Sequence, residues 1–183
     1  IAIVAPETEP MLEAYATLAA LAQVTSRVRL GTLVSGVTYR NPALLAKSVT
    51  TLDTISRGRA VLGIGAAWND AEHVGYGYEF PPIGERMDRL GEALAIARRM
   101  FTEERPSYSG RYYRIERALN VPRPLQSGGP KILVGGGGEQ RIVGHAGGVD
   151  AGDAGGKAAV DQHLTHDCRF LDGGQVGDIL GDT

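Results

Sequence analysis

The sequence predicts an α/β fold in which helices cover a mainly parallel sheet, and three observations support that class. Segments with apolar residues at helical spacing alternate along the chain with short runs rich in β-branched residues. Helical segments lead into the following strands through short turns, which is typical of wound α/β domains. The 183 residues are 43% hydrophobic and 22% charged, so the chain is long and apolar enough for a buried core. We therefore expect a single domain over residues 1–183.

Two helix–strand units occupy the first third of the chain. Apolar residues recur at helical spacing over residues 10–23, and residues 28–34 then form a β-branched run that predicts a buried strand. Asn41 is the expected N-cap of a second helix, which ends near Arg57. A second strand is predicted over residues 60–64.

The remainder of the chain is less regular. A polar and aromatic connection over residues 65–84 precedes an amphipathic helix over about residues 85–102. The tyrosine-rich residues 107–114 predict an extended excursion or a hairpin, and residues 131–134 predict a third strand. Glycine, alanine and aspartate dominate residues 142–183, an irregular stretch in which we predict no element.

The charged residues at the start of the third predicted helix have a simple interpretation. Their spacing is typical of a solvated face on which successive turns form ion pairs. They are Glu85, Arg86, Asp88, Arg89 and Glu92.

Composition limits the function classes. The formal net charge of -2, without a basic cluster, argues against a nucleic-acid partner, and no apolar run reaches the ~20 residues of a membrane span. Cys168 is the single cysteine, so no intramolecular disulfide can form, and a cytoplasmic location is expected. His163, His166 and Cys168 lie close in the sequence, but no second ligand pair accompanies them, so we expect no metal site.

Three segments contain residue types that suit a ligand site. Residues 30–42 place small and hydroxylic residues at a strand end, where a flat ring can approach the backbone, although their spacing alone favours an ordinary β-α turn. Residues 62–69 contain two glycines of a dinucleotide fingerprint, but Trp68 replaces the third glycine, which argues against a Rossmann site. In residues 134–141, four glycines and Arg141 suit either a phosphate bound by backbone amides or a plain flexible turn.

Six ordered segments between about residues 10 and 141 together resemble the luciferase-like monooxygenase superfamily, in particular its bacterial coenzyme F420-dependent oxidoreductases. The six segments are residues 25–32, 39–47, 52–59, 63–68, 84–90 and 132–138. Each segment alone is weak, but the ordered set is specific. Arg27, Arg40 and Arg57 belong to these segments, and we interpret them as structural because they lie at turns and helix starts.

The resemblance implies a (β/α)8 TIM-barrel, partial in this chain, with the coenzyme lying across the C-terminal ends of the strands. Residues 32–35 would flank the ring, with a non-proline cis peptide near Leu33-Val34, residues 65–69 would line the ring and ribityl region, and residues 135–138 would hold the phosphate. The implied cofactor-binding residues are Thr32, Leu33, Val34, Ser35, Gly65, Ala66, Ala67, Trp68, Asn69, Gly135, Gly136, Gly137 and Gly138.

The implied function is hydride transfer between coenzyme F420 and an unidentified small organic substrate. An FMN-dependent monooxygenase is the alternative within the enzyme class, and a non-catalytic fragment or pseudoenzyme is the alternative outside it. The family usually has an acidic or histidine residue facing the ring, and we expect that group upstream of Ile1. An incomplete barrel exposes sheet edges that can pair with a second copy of the chain, so the sequence also allows a homo-oligomer.

Overall fold

The computed structural model describes residues 8–135, together with the backbone of two later strands. Helices and strands alternate along the chain, as the α/β class requires. The helices are α1 (Ala14–Val24), α2 (Pro42–Ser56), α3 (Asp70–Tyr76) and α4 (Ile83–Thr102). The strands are β1 (Ser35–Gly36), β2 (Val61–Gly65), β3 (Tyr108–Ser109), β4 (Arg114–Ile115), β5 (Lys131–Gly135), β6 (Cys168–Asp172) and β7 (Gln175–Asp178).

The main sheet has the strand order β1-β2-β5-β6-β7. Strands β1, β2 and β5 are parallel, and the helical connections between them follow the pattern of a wound α/β domain. Strands β6 and β7 are antiparallel, in the part of the chain where we predicted no element. That prediction was wrong for these two short strands, because the sequence there offers few β-branched or aromatic residues to mark them.

An antiparallel pair departs from the (β/α)8 pattern, in which all strands are parallel. The α/β class is confirmed, whereas the partial (β/α)8 barrel stays a prediction. Among the described residues, no helix is long and apolar enough to cross a membrane.

The first predicted strand, residues 28–34, is largely absent from the ladder. Leu30 forms an isolated bridge with Ala60, and pairing resumes only at β1. Leu33 is 70% exposed, so the run is not the buried strand that its apolar residues predicted. The backbone of Thr32 crosses so close to Gly63 that a Cβ there would lie 1.8 Å from the Thr32 carbonyl oxygen. Only a glycine at position 63 leaves room for the chain to cross here between Leu30 and Ser35.

Helix α2 begins and ends as its sequence predicts. The Asn41 side chain accepts a hydrogen bond from the backbone N–H of Ala43 at 2.9 Å, and Pro42 occupies the first helical turn. Arg57 adopts a left-handed conformation with φ 58° at the C-cap, where its N–H bonds back to the last turn. Arg57 therefore has the structural position that we expected.

Helix α3 lies inside the connection that we predicted to be a loop. Asn69 caps its N-terminus by accepting from the N–H of Glu72 at 3.3 Å, and Gly77 ends it in a left-handed conformation. The helix has seven residues, too few for an apolar period to become visible. An Asn followed three residues later by Glu is nevertheless a capping pattern that marks a helix start.

The tyrosine-rich excursion is an antiparallel hairpin of β3 and β4, as predicted. Glu92 of α4 holds it, since its carboxylate accepts from the backbone N–H groups of Arg111, Tyr112 and Tyr113. Glu92 is thus buried, and the predicted solvated face was wrong at this position. The Glu85–Arg89 ion pair at 2.6 Å does match that prediction.

The hydrophobic core lies between the sheet and helices α2 and α4. Leu62 and Ile64 of β2 are fully buried against apolar side chains that include Val49 of α2 and Ile96 of α4. Burial of such side chains contributes about 1.5–3 kcal/mol each. The packing leaves the C-terminal ends of β1, β2 and β5 at one edge of the layer.

Asp53 of α2 joins three parts of the fold. It is fully buried, and its Oδ2 accepts from the backbone N–H groups of Leu125 and Gln126 at 2.7 and 3.2 Å. Its Oδ1 accepts from the Gln126 side chain at 2.8 Å and from the N–H of Ala60 at 3.4 Å. One carboxylate therefore ties α2 to the start of β2 and to the segment before β5.

We predict that Asp53→Asn lowers the free energy of unfolding by about 2–3 kcal/mol, because the new amide group must face an N–H donor. Urea unfolding of the two proteins measures this difference. Asp88→Asn, at an exposed position on α4, is the matched control and should change stability by less than about 0.5 kcal/mol. Equal unfolding midpoints for Asp53→Asn and Asp88→Asn would contradict the assigned role.

Candidate functional site

The predicted cofactor segments converge at the C-terminal ends of three parallel strands. Ser35 pairs with Ile64, and Gly65 lies between Gly36 on one side and Gly135 on the other. Segments far apart in sequence are thus neighbours at this edge, which we call the C-terminal edge. Gly136, Gly137 and Gly138 lie outside the described residues, so only Gly135 of the predicted phosphate segment can be located.

The peptide bond between Leu33 and Val34 is cis, as the family resemblance implied. After it, the Val34 side chain packs over glycines of the neighbouring strands. A Cβ at Gly65 would lie 2.9 Å from Val34 Cγ2, and a Cβ at Gly135 would lie 2.8 Å from Val34 Cγ1. These glycines therefore make room for Val34 rather than merely permitting a turn.

Three hydroxyl groups beside Val34 form an ordered chain of hydrogen bonds. Thr32 Oγ1 donates to the Gly63 carbonyl oxygen at 3.0 Å, since a carbonyl can only accept. Ser35 Oγ must then donate to Thr32 Oγ1 at 3.0 Å, and the Tyr15 hydroxyl must donate to Ser35 Oγ at 3.2 Å. Thr32 and Ser35 have no remaining hydroxyl proton for a ligand, although their oxygens can still accept.

Beside Thr32 lies an open, mainly apolar cleft of about 420 Å³. Its lining includes Met11, Leu12 and Leu18. Leu33 also projects apolar surface at this end of the sheet and is 70% exposed. The surroundings of the Thr32 hydroxyl are therefore apolar, a character that suits a flat ring better than a strongly charged ligand.

Residues 66–69, the β2–α3 loop, connect the C-terminal edge to helix α3. Ala67 has a left-handed backbone with φ 65°, which costs a non-glycine residue about 1–2 kcal/mol. Arg86 of α4 donates from Nη1 to the carbonyl oxygen of Ala66 at 3.2 Å and contacts that of Ala67. Trp68 is 61% exposed, whereas the Asn69 side chain is used in capping α3.

Arg86, like Glu92, is buried, so the predicted solvated face was wrong at this position too. It is only 8% exposed, and its Nε donates to the carbonyl oxygen of Pro81 at 2.9 Å. Its guanidinium carbon lies 4.0 Å from the centroid of the Phe80 ring, which adds a cation–π contact. The helical spacing of the charged run could not distinguish this residue from its exposed neighbours. Its position in one of the six family-like segments was the available signal.

His73 of α3 is a fully buried polar residue that sequence reasoning missed. Its Nδ1 lies 2.6 Å from the Asn69 carbonyl oxygen and must carry the proton, because a carbonyl only accepts. Its Nε2 lies within hydrogen-bond distance of the Thr38 hydroxyl, at 2.6 Å. His73 thus links the β2–α3 loop to the segment that follows β1.

Aromatic rings surround His73. Its ring stacks on Tyr39 with centroids 4.6 Å apart and contacts Phe80 at the same separation. The Tyr39 hydroxyl donates to Glu72 at 2.8 Å. Burial, together with this hydrogen bond to a carboxylate, raises the pKa of Tyr39 well above its usual range. Tyr39 therefore keeps its proton at physiological pH and acts here as a donor.

Two further aromatic side chains near His73 are exposed, Tyr76 at 75% and Tyr78 at 45%. Their ring centroids are 6.5 Å apart, and Tyr78 also lies 5.5 Å from Tyr39. Tyr78 is therefore in contact with the aromatic group around His73, as a packing role requires.

The other sequence candidates have structural or undescribed positions. Arg40 forms an ion pair with Glu13, the residue that caps α1, and therefore has the structural role that we expected. His163 and His166 lie outside the described residues, and only the backbone of Cys168 is described. Within the described residues, no group of three or more His, Cys, Asp or Glu side chains could hold a metal ion.

The residues at the C-terminal edge fit a flavin-type coenzyme in chemical character. Val34 fills the space beside Gly65 and Gly135, and the exposed apolar groups of Leu33 and Trp68 are available to cover a ring. Backbone amides beginning at Gly135 suit a phosphate by their chemistry. The candidate ring site therefore consists mainly of backbone and apolar surface.

Comparisons with known proteins identify the family of the chain. The family model of luciferase-like monooxygenases matches residues 2–149. An uncharacterized protein of Mycobacterium tuberculosis is 37% identical over 130 residues, which cover 71% of this chain and 45% of that protein. An F420-dependent glucose-6-phosphate dehydrogenase of Kineococcus radiotolerans is 38% identical over 128 residues, which cover 69% of this chain and 38% of that enzyme.

A solved structure gives the same result. The crystal structure of the monooxygenase RslO1 from Streptomyces bottropensis superposes with a TM-score of 0.60 at 32% sequence identity. The superposition covers 67% of this chain and 36% of the monooxygenase. The chain thus spans less than half of the length of the relatives that it matches.

We predict that Gly135→Ala destabilises the protein by about 1–3 kcal/mol, because its Cβ would collide with the stiff, β-branched Val34. Thermal or urea unfolding measures the loss. The double variant Val34→Ala/Gly135→Ala should recover part of it, giving a favourable coupling between the two positions. Gly84→Ala is the control, since nothing lies within 4 Å of the added methyl group. Additive effects of the two substitutions would disprove the contact.

Proposed function

The chain belongs to the luciferase-like monooxygenase family, and we propose that it forms part of an oxidoreductase that binds coenzyme F420. The reaction would transfer a hydride between this coenzyme and a small organic substrate. The observation that carries the proposal is the convergence of residues 32–35, residues 65–69 and Gly135 at one strand edge. In α/β enzymes, ligands bind at the carboxyl ends of parallel strands.

The F420-dependent relative supports the choice of coenzyme. The dehydrogenase of Kineococcus radiotolerans shares 38% of aligned residues with this chain. The C-terminal edge offers small residues and apolar surface, and a ring bound there would cover apolar area of Leu33 and Trp68. Removing apolar surface from water contributes roughly 25 cal/mol per Å². We infer that these contacts favour a flat ring at the ends of β1 and β2.

The remaining residues would orient and shield the coenzyme. Val34 and the adjoining backbone would support one side of a ring, and the amides of residues 135–138 would bind a phosphate. A bound deazaflavin would supply a carbon that gives or accepts a hydride. The chain's residues would then need only to fix the distance and orientation between coenzyme and substrate and to exclude water. The hydroxyl protons of Thr32 and Ser35 are used internally, so these groups would act as hydrogen-bond acceptors.

For the architecture, we infer that residues 1–183 contribute part of one (β/α)8 barrel. Residues 10–141 would be its family-like portion. The three parallel strands, with helices α1 and α2 preceding β1 and β2, support this proposal. We propose a cytoplasmic location, a small-molecule substrate and no nucleic-acid partner, in keeping with the net charge of -2.

An FMN-dependent monooxygenase is the second candidate. The specific observation in its favour is the monooxygenase RslO1, which superposes at 32% identity. The same C-terminal edge would bind FMN, because its flat ring and phosphate require the same kinds of contact. The two candidates predict opposite preferences. The oxidoreductase should bind coenzyme F420 more tightly, and the monooxygenase should bind FMN more tightly.

We predict that the purified protein binds coenzyme F420 at least about tenfold more tightly than FMN, equivalent to about 1.4 kcal/mol. Titration with each coenzyme, followed by absorbance and fluorescence, gives both dissociation constants. A preference for FMN would favour the monooxygenase, and binding of neither would overturn the proposal in favour of a non-catalytic protein.

Two exposed leucines provide a matched test of the location. Leu33→Asp places a charge against the proposed ring site and should weaken coenzyme binding, because the charge loses hydration there. Leu119→Asp makes the same change at a leucine that is 55% exposed and adjoins Asn120, which donates to the Met100 carbonyl oxygen near the end of α4, and it should leave binding unchanged. Equal affinities of the two variants would exclude Leu33 from the site.

A further inference from the structure

The β2–α3 loop, residues 66–69, is held by two side chains that belong to neither the loop nor the predicted site. Nη1 of Arg86, on α4, donates to the carbonyl oxygens of Ala66 and Ala67 in the first half of the loop. His73 of α3 binds its end through the carbonyl oxygen of Asn69 at 2.6 Å. Both side chains are buried, with exposures of 8% and 0%.

The guanidinium of Arg86 donates hydrogen bonds to backbone carbonyl oxygens and not to a carboxylate. Within residues 8–135 it forms no ion pair, while its Nε and Nη1 reach carbonyl oxygens of three residues. Desolvating a cation is costly, and a planar fork with several donors can recover that cost where the single ammonium of Lys cannot. Arg86 also supports the left-handed turn at Ala67, which is unfavourable for a residue with a side chain.

His73 extends the constraint to the neighbouring strand. Its Nδ1–H donates to the loop, and its Nε2 forms a hydrogen bond with the hydroxyl of Thr38, two residues beyond β1. The loop after β2 and the segment after β1 are therefore joined through one imidazole ring. Stacking on Tyr39 and contact with Phe80 keep that ring in place.

Trp68 lies between the two held points, and its side chain is 61% exposed. We propose that Arg86 and His73 are positioning residues that fix the β2–α3 loop and thereby hold the Trp68 indole at the C-terminal edge, where it covers bound coenzyme. The covering role rests on the proposed function, whereas the holding role does not. The two parts can therefore be tested separately.

Trp68 is the single tryptophan of the 183 residues, so its fluorescence reports on the loop directly. The first experiment measures the time-resolved anisotropy of Trp68 without coenzyme, with a Trp68→Phe protein as the blank. Arg86→Lys keeps the charge but cannot bridge the carbonyl oxygens, so we expect greater nanosecond motion of the indole. Arg89→Lys is the matched control, since Arg89 lies one turn later on α4 and pairs with Glu85.

The His73 variants separate its two hydrogen bonds. His73→Asn can keep a donor close to the Nδ1 position and should largely retain the loop's order, whereas His73→Leu removes both bonds and should loosen it. Thr38→Val removes the partner of Nε2 with little change in volume, and gives a second measurement if His73→Leu does not fold. Unfolding midpoints, recorded for every variant, separate loss of loop order from loss of the fold.

The second experiment titrates coenzyme F420 and FMN into each variant and follows quenching of Trp68. We expect strong quenching in the unmodified protein and in Arg89→Lys, and about tenfold weaker binding in Arg86→Lys and His73→Leu, equivalent to about 1.4 kcal/mol. Wild-type anisotropy in both Arg86→Lys and His73→Leu would overturn the holding role. Greater indole motion combined with unchanged affinity and quenching would overturn the covering role alone. Failure of the unmodified protein to bind either coenzyme would overturn the proposed function and leave the anisotropy result to decide the holding role.

Discussion

Val34 fills the space above the glycines of β2 and β5, and the arrangement of the C-terminal edge depends on this contact. The chain leaves the ladder after Leu30 and crosses Gly63 at a distance that excludes any side chain. It then returns at β1 with Val34 packed against Gly65 and Gly135. The strands can end side by side in this arrangement only because Gly65 and Gly135 have no side chains. Val34 occupies the space that such side chains would need.

Buried charges fix the segments that surround this contact. Asp53, Arg86 and Glu92 are almost completely buried, and each bonds mainly to backbone groups of a distant segment rather than to an opposite charge. Such bonds are directional and strong when they are shielded from water. The loops of this fold are thus shaped by side chains from helices α2 and α4, which are themselves held by the apolar core.

The sequence predicts those parts of the fold whose causes are local. Asn41 and Pro42 specify the start of α2 through capping chemistry, and the hairpin after Ser107 follows from turn and aromatic residues. The roles of Arg86 and His73 depend instead on tertiary contacts, which helical spacing does not encode. The run before β1 was misjudged for the same reason, because its path outside the ladder depends on the room that Gly63 leaves on another strand. The site residues themselves stay a prediction that rests on family resemblance.

The hydroxyl chain from Tyr15 through Ser35 and Thr32 ends on the Gly63 carbonyl oxygen, and this fixes its polarity. In a chain of hydroxyl groups that relays protons, every hydrogen bond reverses its direction when a proton passes. Each hydroxyl must then return to its original direction before the next proton can pass. The terminal carbonyl has no proton to return, so the whole row can point in one direction only. These hydroxyls therefore form a static dipole beside the strand ends and do not form a path for protons.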